Sequence, residues 1–455
     1  MRFISWAGEK LDMTIAAVAK GSPLVLAGLL LAYGPTAVAQ IGPAGESAQQ
    51  DLSTGAAQDL FERDRSVSVS QRPHPELQSP PHRLGAFEVQ PQLDVTGEYN
   101  DNIYALNTAQ TSDAIVHARP SIYAESTWSR HFFSLYAADT VNRYVSHGSE
   151  NTNDWQINAN GRLDIVRGAN LAFGADTGLY TEPRTSAVSN QSLSTTPIRY
   201  QQSNAFVAGV RQVNRIRLSL RGDWRDFAYR NGVDATGSTV PEEDRDRSVK
   251  SVLVRGDYAL SPATAVFLQA VANRRDYRVQ PPVVSVGRNS SGQEILGGIN
   301  FEFTDLLRGE LAGGYIRQNF KDPQLQALRG PGLHGQMEWF PTPLTTLTFS
   351  AVRSIEDSGI AGTAGYFDTN FNLRVDHELL RSLILTAQGV LETDAFRGID
   401  RTDRRLELGA GATYLMNRRL GWTLRYSHLR QSSRGSAPGA TFDVNRITLG
   451  LTAHL

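Results

Sequence analysis

The feature that most constrains this chain is an alternation of apolar and polar residues with period two, repeated in short runs from Phe87 onward. In one such run Leu420, Trp422, Leu424 and Tyr426 share a side, and the residues between them are Gly, Thr, Arg and Ser. A period of two is typical of a β-strand that is apolar on one face, whereas an amphipathic helix repeats every 3.6 residues. The pattern therefore predicts an all-β fold.

The connections between these runs alternate between short turns and long polar loops. Eight short turns and nine long loops can be counted, and seventeen connections join eighteen strands. Short turns on one side, long loops on the other and an even strand number are typical of outer-membrane barrels. We predict about eighteen strands. Sixteen is the alternative count, because strand and loop are hard to separate near 185–200 and 277–292.

A soluble β-sandwich would also alternate, and a propeller would show an internal repeat, which is not visible here. Aromatic residues near strand ends favour the membrane, since they are placed as interfacial girdles are; they are Tyr104, Trp155, Tyr180, Trp339 and Tyr426. A sheet in lipid must close on itself, because lipid offers the backbone no hydrogen-bond partners. We therefore predict a transmembrane antiparallel β-barrel over residues 86–455.

The N-terminus has the features of a secretory signal. Arg2, Lys10 and Lys20 precede an apolar core at 22–34, and Ala37-Val38-Ala39 forms a small-residue cleavage site. This pattern predicts a signal peptide over 1–39, and the core is too short for a membrane anchor. Residues 40–85 are rich in Gln, Ser, Ala and Pro, which predicts a disordered periplasmic lead-in. The expected location is the outer membrane of a Gram-negative bacterium.

Composition excludes several kinds of chemistry. The net charge is −1, which gives no indication of nucleic-acid binding, and the chain has no cysteine, which excludes thiolate catalysis and cysteine-bound zinc. His131, His377 and His428 lie near strand ends without a visible serine partner, so no catalytic residue is predicted. We expect no enzyme activity, no cofactor and no structural metal.

Charged residues on the polar faces of the strands are the main candidates for function. They are predicted to point into one lumen: Arg217, Arg221, Asp223, Arg225, Arg255, Asp257, Glu302, Glu338, Arg374, Asp376, Arg405, Glu407, Arg425 and Arg446. Two interpretations stay open. The charges either pair with one another and solvate a polar interior, or they form a conduit whose weak contacts pass hydroxyl- and carboxylate-bearing solutes.

Two short segments have narrower interpretations. The end of the chain, from Thr448 through Gly450 to Leu455, is similar to the C-terminal insertion signal read by the barrel assembly machinery, although Ala453 and Leu455 replace the usual aromatics. The Asn100-Asp101-Asn102 cluster is predicted to end the first strand, because Asn and Asp side chains bond to a turning backbone. Binding of an ion by the 98–107 segment stays open.

Several motifs between residues 87 and 185 resemble those of the putative β-barrel porin 2 family. They are Asp101-Asn102-Ile103, Trp128-Ser129-Arg130-His131, Arg143-Tyr144, Glu150-Asn151, Asp154 and Gly161-Arg162-Leu163-Asp164-Ile165. The resemblance implies an outer-membrane barrel in contact with lipid and lipopolysaccharide. It also implies a role as the exit for exopolysaccharide or capsular polysaccharide, together with a periplasmic polysaccharide-export protein. A diffusion or solute-uptake porin and a structural outer-membrane protein are the alternatives.

Overall fold

The computed structural model describes residues 67–190, 192–360, 362–363 and 365–455. The predicted signal peptide and residues 40–66 of the predicted lead-in lie outside this range. No helix among the described residues is long and apolar enough to cross a membrane.

Eighteen long strands form the fold, each of 13–16 residues. About 9–11 residues suffice to cross the bilayer, so every strand extends beyond it. The strands are β1 Phe87–Asn100, β2 Asp113–Ser126, β3 His131–Tyr144, β4 Thr152–Val166, β5 Ala169–Thr181, β6 Arg199–Val213, β7 Ile216–Tyr229, β8 Arg247–Ser261, β9 Thr264–Tyr277, β10 Ser290–Phe303, β11 Leu307–Phe320, β12 Leu328–Thr342, β13 Thr345–Asp357, β14 Gly365–Leu380, β15 Leu383–Arg397, β16 Thr402–Leu415, β17 Leu420–Arg434 and β18 Phe442–His454.

The sheet closes into a barrel. Each strand pairs antiparallel with its neighbours in the chain, and β1 pairs with β18 from Gln92↔His454 to Asn100↔Arg446. Closure gives every strand two partners, so no edge is left with unpaired backbone groups. The predicted all-β barrel of eighteen strands is confirmed, and the alternative count of sixteen is wrong.

The eight short turns, of two to four residues, all lie at one end of the barrel, and the nine other connections, of four to seventeen residues, lie at the other. The tightest turns hold two residues, as at 167–168, where Gly168 has φ +72°. Any residue other than glycine would have a strained backbone conformation there, and its Cβ would lie 2.8 Å from the Gln212 carbonyl oxygen. By the convention of outer-membrane barrels, the short-turn end faces the periplasm and the long-loop end faces outward.

The outer surface is apolar along the strands. Leu218 and Leu220 of β7 are each 57% exposed, and Leu268 of β9 is 62% exposed. In a soluble protein such a continuous exposed surface would be unstable, but in a bilayer it is covered by lipid.

The predicted aromatic girdle is only partly present. Trp155, Trp339 and Tyr426 are exposed on the outer face. The prediction was wrong for Tyr180, which stacks on Tyr200 of the inner face at 5.8 Å, and for Tyr104, whose ring packs edge-on against His147 of the following loop. Tyr180 follows the alternation of β5 and shares the inner face with Asp176, whereas Tyr104 lies beyond the end of β1, where the period is lost.

The end of the predicted lead-in is ordered, which differs from the expectation for 40–85. Val69 is buried in a short 3-10 turn at Val69–Gln71, and a three-residue strand at His82–Leu84 pairs back onto β1. Low apolar content predicted disorder, but the barrel supplies partners that the segment itself lacks.

The predicted insertion signal forms the end of β18. Ile447 and Leu449 are each 51% exposed on the outer face, and Gly450 faces inward against Thr96 of β1. Leu455 is 64% exposed, and its backbone N–H donates to the Pro91 carbonyl oxygen at 3.0 Å. Recognition of this segment by the assembly machinery stays a prediction.

Candidate functional site: the lumen of the barrel

The predicted lumen residues lie on the faces opposite the exposed apolar side chains. On β7, Arg217, Arg221 and Arg225 alternate with the outward Leu218 and Leu220. The same alternation places the predicted charges of β8, β12, β14, β16, β17 and β18 on the inner wall. The inner wall is therefore strongly charged, with basic and acidic groups interspersed.

The most buried charge lies midway along β8. Arg255 is 1% exposed, and its two terminal nitrogens donate to both oxygens of Glu310 at 2.9 and 2.7 Å. Its Nε donates to Asp257 at 2.9 Å, and its guanidinium covers the Phe267 ring at 3.7 Å. A bidentate pair with an aromatic cover is the arrangement that best offsets the cost of burying charge.

Other predicted lumen charges also have partners. Arg374 Nε donates to Asp376 at 2.7 Å, Arg221 Nε donates to Asp223 at 2.9 Å, and Glu338 accepts from Arg308 at 2.6 Å. Many of these pairs join residues two positions apart on one strand or directly opposite on neighbouring strands. Pairing leaves the wall polar without a strong excess of either sign at these positions.

A second group of charges lies in the outer half of the lumen. Arg245, in the loop 230–246, donates to both oxygens of Glu182 at 2.9 Å and to Glu242 at 3.0 Å. Its guanidinium lies 3.9 Å from the centre of the Tyr229 ring. Burial raises the pKa of Glu242 even though Arg245 opposes that shift. Two external loops are thus fixed to each other inside the barrel.

The loop 182–198, which we call the crossing loop, reaches the far side of the lumen. It leaves β5 and returns to β6, yet its Thr185 carbonyl oxygen accepts from Arg405 Nη2 of β16 at 3.3 Å. Its Val188 lies beside Gly359, in the loop between β13 and β14. In an eighteen-strand barrel these strands lie nearly opposite β5 and β6, so the loop spans the interior.

Neighbouring loops hold the crossing loop in place. Arg184 donates to both oxygens of Glu150 at 3.1 and 2.7 Å, and Asn190 donates to the Ala105 carbonyl oxygen at 2.9 Å. Ala105 is fully buried against Phe442 and other inward residues of β17 and β18. A small cavity of about 40 Å³ lies between the crossing loop and the wall, lined in part by Ser186, Val188 and Glu356.

The periplasmic opening of the barrel is also covered in part. Val69 N–H donates to Thr346 Oγ1 at 3.0 Å, and Arg72 pairs with Glu378 of the inner wall. Glu76 accepts from Arg381 Nε, in a periplasmic turn, at 2.8 Å. Residues 67–79, which we call the N-terminal plug, therefore lie in the periplasmic opening.

The Asn100-Asp101-Asn102 cluster forms the end of β1, as predicted. Asn102 donates from its side chain to the Leu106 and Asp443 carbonyl oxygens at 2.8 Å, and Asn100 accepts from the Asn102 N–H at 2.9 Å. Asp101 accepts from Asn445 at 2.6 Å and so joins the loop to β18. These oxygens are used in holding the backbone.

Sequence reasoning missed the residues that narrow the lumen. Glu182, Arg184 and Arg245 lie in loops, where no period assigns a direction, and Glu310 was not selected although its position on β11 faces inward. Glu310 is important because it pairs with Arg255. That pairing depends on the register of the strands, which the sequence of a single strand does not reveal.

The closed sheet, the lipid-facing surface and the polar interior define a porin of the outer membrane. The chain belongs to the family described as putative beta-barrel porin 2, whose model matches residues 78–455.

Solved outer-membrane proteins are similar in outline only. OpdL of Pseudomonas aeruginosa is 13% identical, with 82% of this chain and 100% of that chain covered and a TM-score of 0.43. A BenF-like porin from Pseudomonas fluorescens Pf-5 is 13% identical, with 81% and 99% covered and a TM-score of 0.45. The ferric enterobactin receptor PfeA of Pseudomonas aeruginosa, as a mutant, is 8% identical, with 81% and 80% covered and a TM-score of 0.42. No curated protein matches the chain.

Proposed function

We propose that this porin admits small hydrophilic solutes by diffusion through a constricted and weakly charge-selective lumen, and that it has no catalytic role. The observation that carries the proposal is the crossing loop, which joins nearly opposite walls through the contact of Thr185 with Arg405. A solute must pass beside this loop, so size is limited there. The plug at the periplasmic mouth narrows the path further.

The paired wall charges support weak selectivity. A solute that meets Arg221 beside Asp223, or Arg374 beside Asp376, meets both signs within a few ångströms. Such pairs offer many weak binding sites for hydroxyl groups and zwitterions. Conduction requires many weak contacts of this kind rather than one tight site. A pore selective for one sign would instead present unpaired charges of that sign.

The polysaccharide role that the family resemblance implies is the second candidate. A polymer chain would require that both the crossing loop and the N-terminal plug move out of the lumen. Both are held largely by ion pairs and hydrogen bonds, such as Arg184 with Glu150 and Arg72 with Glu378. A periplasmic export protein that bound the lead-in would be the natural trigger, and normal secretion after deletion of 40–79 would refute that trigger.

Single-channel recording in planar bilayers tests the proposal. We expect small, stable conductance in KCl and a reversal potential near zero in a salt gradient, because neither ion is strongly favoured. Strong selectivity for one ion would contradict the paired-wall account. A pore that stays closed alone and opens only with a periplasmic partner would favour polymer export.

A further inference from the structure

Three carboxylates meet on the inner wall near the outer end of the barrel. They are Asp368 of β14 and Glu392 and Asp394 of β15, and one oxygen of each lies within 4.8 Å of one oxygen of every other. Asp368 and Asp394 are direct cross-strand partners. Like charges in that position repel, so the fold needs something to stabilise them.

The nearby bases do not neutralise this group. Arg405 Nη1 donates to Glu392 at 2.7 Å, which accounts for one negative charge. The charged groups that act most strongly on Asp368 are Glu392, Asp394 and Glu356, all of them acidic. Among the described residues, Asp368 and Asp394 have no basic group within salt-bridge distance, so neither has a cationic partner that would compensate its charge when it is ionised.

The next carboxylate along the wall is neutralised, and the contrast is informative. Asp403 of β16 lies opposite Asp394, but it accepts from Arg401 at 2.6–3.0 Å and from Ser433 at 2.5 Å. Asp403 thus has its own basic partner and its own hydroxyl partner, whereas Asp368 and Asp394 have neither in the described part of the chain.

Two oxygens of the group also lack hydrogen-bond partners. Asp368 and Asp394 are each only 6% exposed, and the Oδ1 atom of each is buried with no partner among the described residues. A buried oxygen without a hydrogen-bond partner is destabilising, and more so when it is charged, so such a pair calls for a ligand.

We propose that Asp368, Glu392 and Asp394 bind one divalent cation of the Ca²⁺ type. Carboxylate oxygens are the ligands that hard cations prefer, and one divalent ion would balance the charges of Asp368 and Asp394 once both are ionised. Ca²⁺ accepts irregular sets of six to eight oxygens, whereas Mg²⁺ needs a near-ideal octahedron at shorter distances. The site lies three residues inside the outer strand ends, in reach of ions from the medium.

The bound ion would also have a structural effect. It would join β14 to β15 directly beside Arg405, which bonds both Glu392 and the Thr185 carbonyl oxygen of the crossing loop. A bound ion would weaken the attraction between Arg405 and the acidic group. It would also hold in place the part of the inner wall that the crossing loop contacts.

Calcium titration of the full-length protein tests the proposal. The protein is folded in detergent free of lipopolysaccharide, which itself holds divalent ions, stripped with EGTA, and titrated with CaCl₂ by calorimetry. We expect one ion per chain with a dissociation constant of roughly 10⁻⁴–10⁻³ M or tighter, as in other extracellular sites. Asp394→Asn and Asp368→Asn are each expected to weaken binding about tenfold or more.

Asp223→Asn is the matched control, because Asp223 is also a lumen carboxylate but is bound by Arg221. It should bind Ca²⁺ as the wild type does.

Thermal unfolding gives an independent readout. Ca²⁺ should raise the unfolding midpoint of the wild type and of the control. Asp394→Asn should have a higher midpoint than the wild type in EGTA, and its midpoint should not change with Ca²⁺. A wild type that binds no Ca²⁺ in lipopolysaccharide-free detergent would overturn the proposal and favour a proton shared by the two aspartates. Equal binding by all variants would overturn it as well.

Discussion

At the scale of single residues, the inner wall is held by charges that satisfy one another. Arg255 is the clearest case, because it is fully buried and donates to two carboxylates and covers a ring. The inward direction of Arg255 follows from period two in the sequence. Its partner Glu310 could not be assigned, since two strands separate β8 from β11 and no sequence pattern gives their relative height.

Replacing Arg255 with Met should destabilise the barrel strongly. Glu310 and Asp257 would keep their buried charge and lose their donor, which typically costs about 3–5 kcal/mol. Unfolding by urea in detergent, followed by tryptophan fluorescence, measures the change. Arg255→Met with Glu310→Met should recover much of the loss, and Arg221→Met, at a more exposed pair, should cost far less. An Arg255→Met protein as stable as the wild type would refute the account of this pair.

Acidification should loosen the N-terminal plug through Glu76. Backbone hydrogen bonding and the Arg381 guanidinium hold the pKa of Glu76 below its usual 4.5. Because the folded pKa is lowered, the stabilisation is present above pH 4.5 and is lost as pH falls through the lowered value.

The chain has no cysteine, so a single spin label at Ser79→Cys reports the plug alone. Its mobility should rise at low pH in the wild type, and Glu76→Gln should already be mobile at neutral pH. A label equally mobile in both proteins at neutral pH would contradict this.

At the scale of elements, strands and loops differ in what the sequence reveals. The strand count and the two ends of the barrel follow from the alternation of turns and loops, and both are present in the structure. The path of the crossing loop does not, because a polar loop rich in Ser and Thr is equally suited to solvent. Its direction depends on distant partners such as Glu150 and Arg405.

Shortening the crossing loop should widen the pore. Replacement of residues 184–195 by a short Gly-Ser linker removes the contacts with Glu150, Ala105 and Arg405. Single-channel conductance should rise roughly twofold or more, since the narrowest part sets the resistance. Shortening of the exposed loop 321–327 is the control and should leave conductance unchanged. Equal conductance of the wild type and the shortened crossing loop would exclude this loop as the constriction.

Removing the N-terminal plug should open the periplasmic mouth. A protein that begins at residue 80 lacks Val69, Arg72 and Glu76, which bond to Thr346, Glu378 and Arg381. We expect a higher conductance and faster entry of solutes from the periplasmic side. A protein that lacks only 40–66 should behave as the wild type does. If both truncations conduct alike, the plug does not restrict the path.

At the scale of the whole molecule, the barrel combines a lipid-facing outer surface with an interior narrowed from both ends. The charged inner wall was predicted from the alternation of residues, whereas the narrowing was not, because it arises from loops and from the end of the lead-in. The predicted polymer exit needs a wide path, and the contacts of Thr185 and Val69 lie across that path. Passage of small solutes fits this arrangement without rearrangement.

The swelling of liposomes that contain the purified porin shows whether the narrowed interior passes only small solutes. Swelling rates are compared for a series of uncharged sugars of increasing size, from monosaccharides to long oligosaccharides, with empty liposomes as the control. We expect rapid entry of the smallest sugars, a steep fall within the oligosaccharide range, and a shift of that limit to larger sugars when the crossing loop is shortened. Equal entry of small and long sugars into liposomes with the wild-type protein would contradict it.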